Sequence, residues 1–158
     1  LHGDPESLAG WGLSHEELSS HGNEPLARWF RQTGADILVS THTCLPVMRA
    51  MLVDGRQRLF LNNGSAGMGN LTGSSAGLLA RIAGSAPSEA AFGLPSSLPV
   101  SAALEPVRFP LAPWLSLFDT LWPENTDAAL SYRNRILSGT SLTPGQLRAG
   151  AGMFDKVI

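Results

Sequence analysis

The sequence predicts an α/β fold that carries two helices at its C-terminal end. Residues 36–40, DILVS, form a short and largely apolar run, which is typical of a strand covered on both faces. Two further strand-like runs flank the turn dipeptide Asp54-Gly55, as in a hairpin. Beyond residue 111 the apolar residues recur at helical spacing instead. We therefore expect an α/β body in residues 1–110 and a C-terminal helical extension in residues 111–158.

Composition places the chain among globular proteins. Its 158 residues are 43% hydrophobic and 15% charged, which allows one domain with a buried core. A net charge of −2 argues against binding nucleic acid or anionic membranes through a general electrostatic field. No apolar run approaches the roughly 18 residues of a transmembrane helix, and the start lacks the basic and apolar regions of a signal peptide. We expect a cytoplasmic protein that does not bind membranes.

The first predicted helix covers residues 23–33 and leads into the strand of residues 36–40. Asn23 suits the N-cap position, Pro25 is tolerated in the first turn, and Gly34 fits the C-terminal stop. The apolar residues at helical spacing are Leu26, Trp29 and Phe30.

The hairpin is followed by a glycine-rich loop and further strand candidates. Residues 48–53 and 58–63 are the hairpin strands, and residues 64–77 are rich in Gly and Ser and predict a loop. Residues 77–84 fit a strand or a helix, and we favour the strand.

The next segments predict a loop and a last strand. Residues 85–99 hold three Pro and four Ser and predict a loop. Residues 100–109 resemble a strand, in which Pro106 indicates an edge position because proline cannot donate to a neighbouring strand.

Two helices are predicted in the C-terminal extension. An apolar stripe on the first is most simply a buried helix face, and its residues are Trp114, Leu115, Phe118, Leu121 and Trp122. The second has Thr126 as N-cap and Gly139 as stop. We expect both helices to pack on the α/β body.

Three segments carry residues suited to chemistry: LHGD at residue 1, THTCLP at residue 41 and LFLNNGSAGMGN at residue 59. Each follows a predicted strand end, and in α/β folds ligands bind in loops at the carboxyl ends of strands. His and Cys are soft metal ligands, so His2, His42 and Cys44 are candidate ligands. Cys44 could instead be a small buried hydrophobe, and the Asn-Asn-Gly-Ser run could be only a turn.

Taken in order, these three segments resemble the C-terminal half of a calcineurin-like metallophosphoesterase over residues 1–70. That family has a strand ending in His-Gly, a later strand ending in Gly-His-x-His, and a hairpin leading to Asn-Pro-Gly-Ser. The resemblance implies a four-layer sandwich of two mixed sheets with helices outside. It also implies two divalent metal ions that share a bridging hydroxide and hydrolyse a phosphate mono- or diester, whose alcohol part is a small molecule or a nucleotide.

The resemblance assigns metal ligands by position. His2 and His42 would bind one ion together, and their ring nitrogens should then lie roughly 3–4.5 Å apart. Cys44 stands where the family has its second His and would bind the other ion. Because a thiolate suits zinc or iron better than manganese, the ions are Zn, Fe or Mn with the first two favoured.

The resemblance also assigns Asn62, Asn63 and Gly64 to the phosphate, through backbone N–H groups and side-chain amides. The family motifs that supply the remaining ligands and the catalytic acid do not precede His2, so no catalytic residue is assigned. Because Leu1 runs directly into His-Gly-Asp without an initiator Met, we expect a fragment that lacks the N-terminal half of its domain. That half would be a partner of this chain, and the chain alone should be inactive.

Four further residues have two interpretations each. Asp4 could orient the His2 imidazole or cap the next turn. Trp11 could line the mouth of the site, but core packing is the simpler interpretation. His15 and His21 are predicted to be surface residues.

Two rival functions stay open. The first is a binding module on the same fold with one metal ion or none, in which Cys44 marks lost catalysis. The second is a thiol enzyme with Cys44 as nucleophile and His42 as base, which requires contact between the thiol and the imidazole.

Overall fold

The computed structural model describes residues 1–148 and 155–157, the last three by their backbone. This part of the chain forms four α-helices: α1 (His15–Ser20), α2 (Glu24–Thr33), α3 (Leu111–Leu121) and α4 (Asp127–Ser138). Its strands are β1 (Ile37–Ser40), β2 (Pro46–Val53), β3 (Arg56–Asn63), β4 (Gly77–Ala83), β5 (Phe92–Gly93), β6 (Ser101–Val107) and β7 (Asp155–Val157), and a 3-10 helix spans Pro144–Arg148. Residues 149–154 and 158 of the predicted C-terminal extension lie outside the described residues.

The first sheet is mixed and has the order β1-β3-β2-β7. β3 runs parallel to β1 and antiparallel to β2, and β7 runs parallel to β2. Asp54 and Gly55 join β2 to β3 with φ angles of 50° and 73°. Positive φ at both central residues is what a two-residue turn between right-twisted strands requires. The predicted hairpin is therefore confirmed.

The second sheet is antiparallel and has the order β4-β6-β5. Residues 77–83 are a strand, as favoured, but the predicted loop of residues 85–99 contains β5. β6 is the central strand, so the edge position predicted from Pro106 is wrong. The strand accommodates this proline because β5 pairs only with Ala103 and Leu104, whereas Pro106 is paired with Leu78 of β4.

The two sheets and the first two helices form three layers. α1 and α2 pack on one face of the first sheet, and the other face packs against the second sheet. Alternation along β2 produces this arrangement, because Val47 and Met51 face the helices whereas Met48 and Ala50 face the second sheet. The chain is thus a mixed α/β protein, as predicted at that level. None of the helices in residues 1–148 is long and apolar enough to span a membrane.

The C-terminal helices pack on each other and on the loop after β3. Their shared core is Phe118, Ala129 and Ile136, and Met68 of the loop contacts it. The buried apolar face predicted for α3 is found only in part, since Phe118 is buried and Trp114 and Leu115 are half-buried. Leu121 and Trp122, at its C-terminal end, stay 55% and 39% exposed because α4 covers only part of the stripe.

Candidate functional site

The candidate residues gather at one edge of the first sheet. β1 and β3 are parallel, so the loops that follow them leave the sheet at the same edge. The N-terminal segment joins them there, since the Leu1 amino group donates to the Val39 carbonyl at 2.8 Å. The buried Ser40 hydroxyl also donates to the Gly3 carbonyl. These two contacts bring His2 to the end of β1.

His2 and His42 converge. Nε2 of His2 and Nδ1 of His42 form a hydrogen bond of 3.0 Å, and the ring centroids are 4.6 Å apart. The predicted convergence is confirmed, at a hydrogen-bond distance that is shorter than the roughly 3.3 Å separating two nitrogens on tetrahedral zinc. Nε2 of His42 is buried and has no hydrogen-bond partner within residues 1–148 and 155–157. Here the two nitrogens bond each other, so metal binding by the pair stays a prediction, and four-coordinate zinc would need further ligands.

The loop that carries His42 has an unusual backbone. His42 and Cys44 have φ angles of 78° and 60°, in the left-handed region that side-chain-bearing residues rarely adopt. Such conformations cost on the order of 1 kcal/mol or more each and persist only where the surroundings enforce them. Thr43, between them, is buried and its hydroxyl accepts a bond of 2.9 Å from the Asn62 amide. The bond from Asn62 of β3 thus helps to hold this tight loop in place.

The Cys44 thiol contacts the backbone of its own loop. Its Sγ donates to the His42 carbonyl at 3.3 Å. Within the described part of the chain, no group of three or more His, Cys, Asp or Glu side chains is placed to hold a metal ion. The thiol contacts a backbone oxygen and not the imidazole that the thiol-enzyme hypothesis requires. Metal ligation by Cys44 stays a prediction.

The groups predicted to bind phosphate have partners within the protein. The fully buried Asn62 donates to the Leu13 carbonyl at 3.2 Å, and its Oδ1 accepts from the Gly64 N–H at 3.0 Å. Asn63 donates to the Leu78 carbonyl at 2.9 Å. These bonds join the end of β3 to the segment before α1 and to β4. Phosphate binding by Asn62, Asn63 and Gly64 stays a prediction. In the structure these groups bond other parts of the protein and stabilise the edge of the first sheet.

Asp4 caps a turn. Its carboxylate accepts from the N–H groups of Glu6 and Ser7 at 2.9 Å each and from that of Gly12 at 3.2 Å. Of the two interpretations of Asp4, the structure shows the turn cap.

Trp11 is not a core residue, so the core-packing interpretation is wrong. It is 59% exposed, and its ring lies 5.7 Å from that of His42 in an edge-to-face arrangement. His21 lies exposed on the surface, as predicted, whereas His15 is half-buried. His15 contacts the Gln146 carbonyl at 3.0 Å, and His21 pairs with Glu17.

Sequence reasoning missed Arg135 of α4. Its Nη2 donates to the Cys44 carbonyl and its Nε to the Gly69 carbonyl at 3.1 Å. Burial lowers the pKa of Arg135 from its ordinary value, and the nearby Cys44 acts in the opposite direction. The C-terminal extension therefore reaches the site loop. No signal in the sequence could have distinguished Arg135 from Arg133, which lies two positions earlier on the same helix.

Asn70 was also missed. It is fully buried, donates to the Ser65 and Met68 carbonyls at 2.6 and 3.1 Å, and accepts from the Ser65 N–H at 2.8 Å. The glycine-rich loop is therefore folded around one asparagine. An Asn inside a Gly- and Ser-rich run was the available signal, since Asn commonly bonds local backbone.

Comparison with known proteins gave no match. No family model, no curated protein and no solved structure matches the chain.

Proposed function

We propose that this chain is part of a metal-dependent phosphoesterase that hydrolyses a phosphate mono- or diester. The observation that carries the proposal is the convergence of His2 and His42. These residues lie 40 positions apart in the sequence, in two separate segments, and their ring nitrogens are 3.0 Å from each other. Among the described residues, the buried Nε2 of His42 has no hydrogen-bond partner. This also supports a role for His42 beyond packing.

The ions would supply Lewis acidity for attack of water on phosphorus. His2 and His42 would bind one ion through Nε2 and Nδ1, in place of the hydrogen bond that joins these two atoms. Asn62 would keep the His42 loop in position through Thr43, and Asn62 also holds the Gly64 N–H. The chain itself would thus supply part of one ligand shell and the frame that orients it.

The remaining ligands and the acid that protonates the leaving group would come from an N-terminal half of the same domain. This half would extend the three observed layers towards the four-layer sandwich that the resemblance implies. Because two histidines are an incomplete shell, the chain alone would bind metal weakly and would not turn over a phosphodiester.

One observation favours the rival binding module. Cys44 donates to the carbonyl of its own loop and lies in no potential metal-holding cluster of the described residues. If Cys44 is not a ligand, the protein would hold a single ion at His2 and His42. Metal content separates these functions, because two ions per full-length chain favour the enzyme and one or none favours the module.

The test of the proposed function is hydrolysis of bis(4-nitrophenyl) phosphate by the full-length protein with added zinc or manganese. We expect activity that a chelator abolishes and that His2→Ala lowers by about 100-fold or more, since metal ions supply several kcal/mol of charge stabilisation. His21→Ala, which changes an exposed histidine just after α1, is the matched control and should keep wild-type activity. Hydrolysis unaffected by chelation or by His2→Ala would refute the proposal.

A further inference from the structure

Trp11 is presented to solvent by a loop that is itself firmly held. The Trp11 carbonyl accepts from the Ser14 N–H at 2.9 Å. On its other side the buried Asp4 carboxylate binds the N–H of Gly12 at 3.2 Å. The backbone on both sides of this exposed tryptophan is therefore held in place.

The flanking glycines are required by close packing. A Cβ at position 10 would lie 1.9 Å from a carboxylate oxygen of Asp4, and one at position 12 would lie 2.4 Å from the Trp29 ring. Side chains at either position would push the loop away from Asp4 and α2. The Gly-Trp-Gly sequence is therefore what allows the loop to lie against the body while the indole faces outward.

Burial does not explain the position of Trp11, because 59% of its surface stays exposed. Its ring contacts His42, one of the two proposed metal ligands, at a centroid distance of 5.7 Å. A phosphoryl group held beside His42 would therefore have the indole as a neighbour. Flat aromatic groups stack well on tryptophan, whereas saturated groups gain only burial.

We propose that Trp11 is a specificity-determining residue that stacks on a planar aromatic group of the phosphoester, so that the substrate class is aryl or nucleoside phosphoesters. This inference rests on the proposed function, because the phosphoryl group must be held beside His42. Trp11 takes no part in the reaction itself and acts on affinity.

The test compares two ligands of equal ring size, phenylphosphonate and cyclohexylphosphonate, together with inorganic phosphate, by calorimetry on the zinc-loaded full-length protein. We expect the wild type to bind the phenyl compound about tenfold more tightly than the cyclohexyl compound, within the range of single-ring stacking on aromatic side chains. Trp11→Ala should abolish this preference and keep the affinity for inorganic phosphate, and Trp11→Phe should retain most of it. Trp122→Ala, another exposed tryptophan, should behave as the wild type.

Three outcomes would overturn the inference. If Trp11→Ala keeps the tenfold preference, the stacking role is wrong while the proposed function stands. If Trp122→Ala loses the preference as well, the effect is not local to His42. If the wild type binds neither inorganic phosphate nor either phosphonate, the proposed function fails together with the inference.

Discussion

Asn62 joins three segments at the edge of the first sheet. It is fully buried, and its amide bonds the Leu13 carbonyl, the Thr43 hydroxyl and the Gly64 N–H. An amide with this many internal partners stabilises the fold, since removal leaves buried groups without hydrogen bonds.

We expect Asn62→Ala to lower the free energy of unfolding by about 3 kcal/mol, because several buried partners lose their bond together. Asn63→Ala is the control, with one bond to the Leu78 carbonyl and a half-buried side chain, and should lower it by about 1 kcal/mol. Urea denaturation of both variants measures the difference. Equal small losses, with phosphate binding lost only in Asn62→Ala, would instead show that Asn62 is a ligand for the substrate.

Substitution of Cys44 tests whether its thiol binds a second ion. If it binds the second ion, Cys44→His in the full-length protein should keep two ions and shift the metal preference towards manganese, because imidazole replaces thiolate. Cys44→Ala should then lose one ion with little loss of stability, as measured by metal analysis and urea denaturation. Unchanged metal content with a loss of about 1 kcal/mol or more would show that Cys44 is a packing residue.

At the scale of elements, hydrogen bonds connect α4 to the loops of the candidate site. Arg135 binds the carbonyls of Cys44 and Gly69, which belong to the loops after β1 and β3. The Thr140 hydroxyl, just beyond α4, also donates to the Asn70 carbonyl at 2.6 Å. The C-terminal helices are therefore packed against the same loops that form the candidate site.

Arg135→Met should lower the free energy of unfolding by about 2 kcal/mol, because two charge-assisted bonds to loop carbonyls are lost from a half-buried position. Arg133→Met, on the same helix, removes an ion pair with Asp119 whose side chains are 41% and 43% exposed. That loss should be at most about 1 kcal/mol. Urea denaturation decides, and an equal effect of the two substitutions would mean that Arg135 does not hold the loops.

At the scale of the whole molecule, the sequence predicted those features that depend on residues close together in the chain. The helix ending at Gly34 and the hairpin at Asp54-Gly55 follow from turn conformation and apolar spacing. The central position of β6 was not predictable, because pairing with the two-residue β5 depends on contacts distant in sequence. The prediction from Pro106 treated the whole strand as an edge, whereas only the residues that pair with β5 need a free N–H on that side.

The candidate site shows the same division. The rule that strand ends gather at one edge, together with the motif resemblance, predicted that His2 and His42 converge. The internal bonding of Asn62 was not predictable, because the same amide can serve a ligand or the backbone. Arg135 could not be predicted either, since helix docking decides which arginine reaches the loop.

Metal content of the full-length protein tests the central claim, that His2 and His42 bind one ion together. Zinc-loaded and desalted protein should hold two ions per chain by elemental mass spectrometry, and His2→Ala and His42→Ala should each hold one. His21→Ala, which removes a surface imidazole paired only with Glu17 in the described residues, should hold two. Two ions in correctly folded His42→Ala protein, as many as in the wild type, would contradict the account.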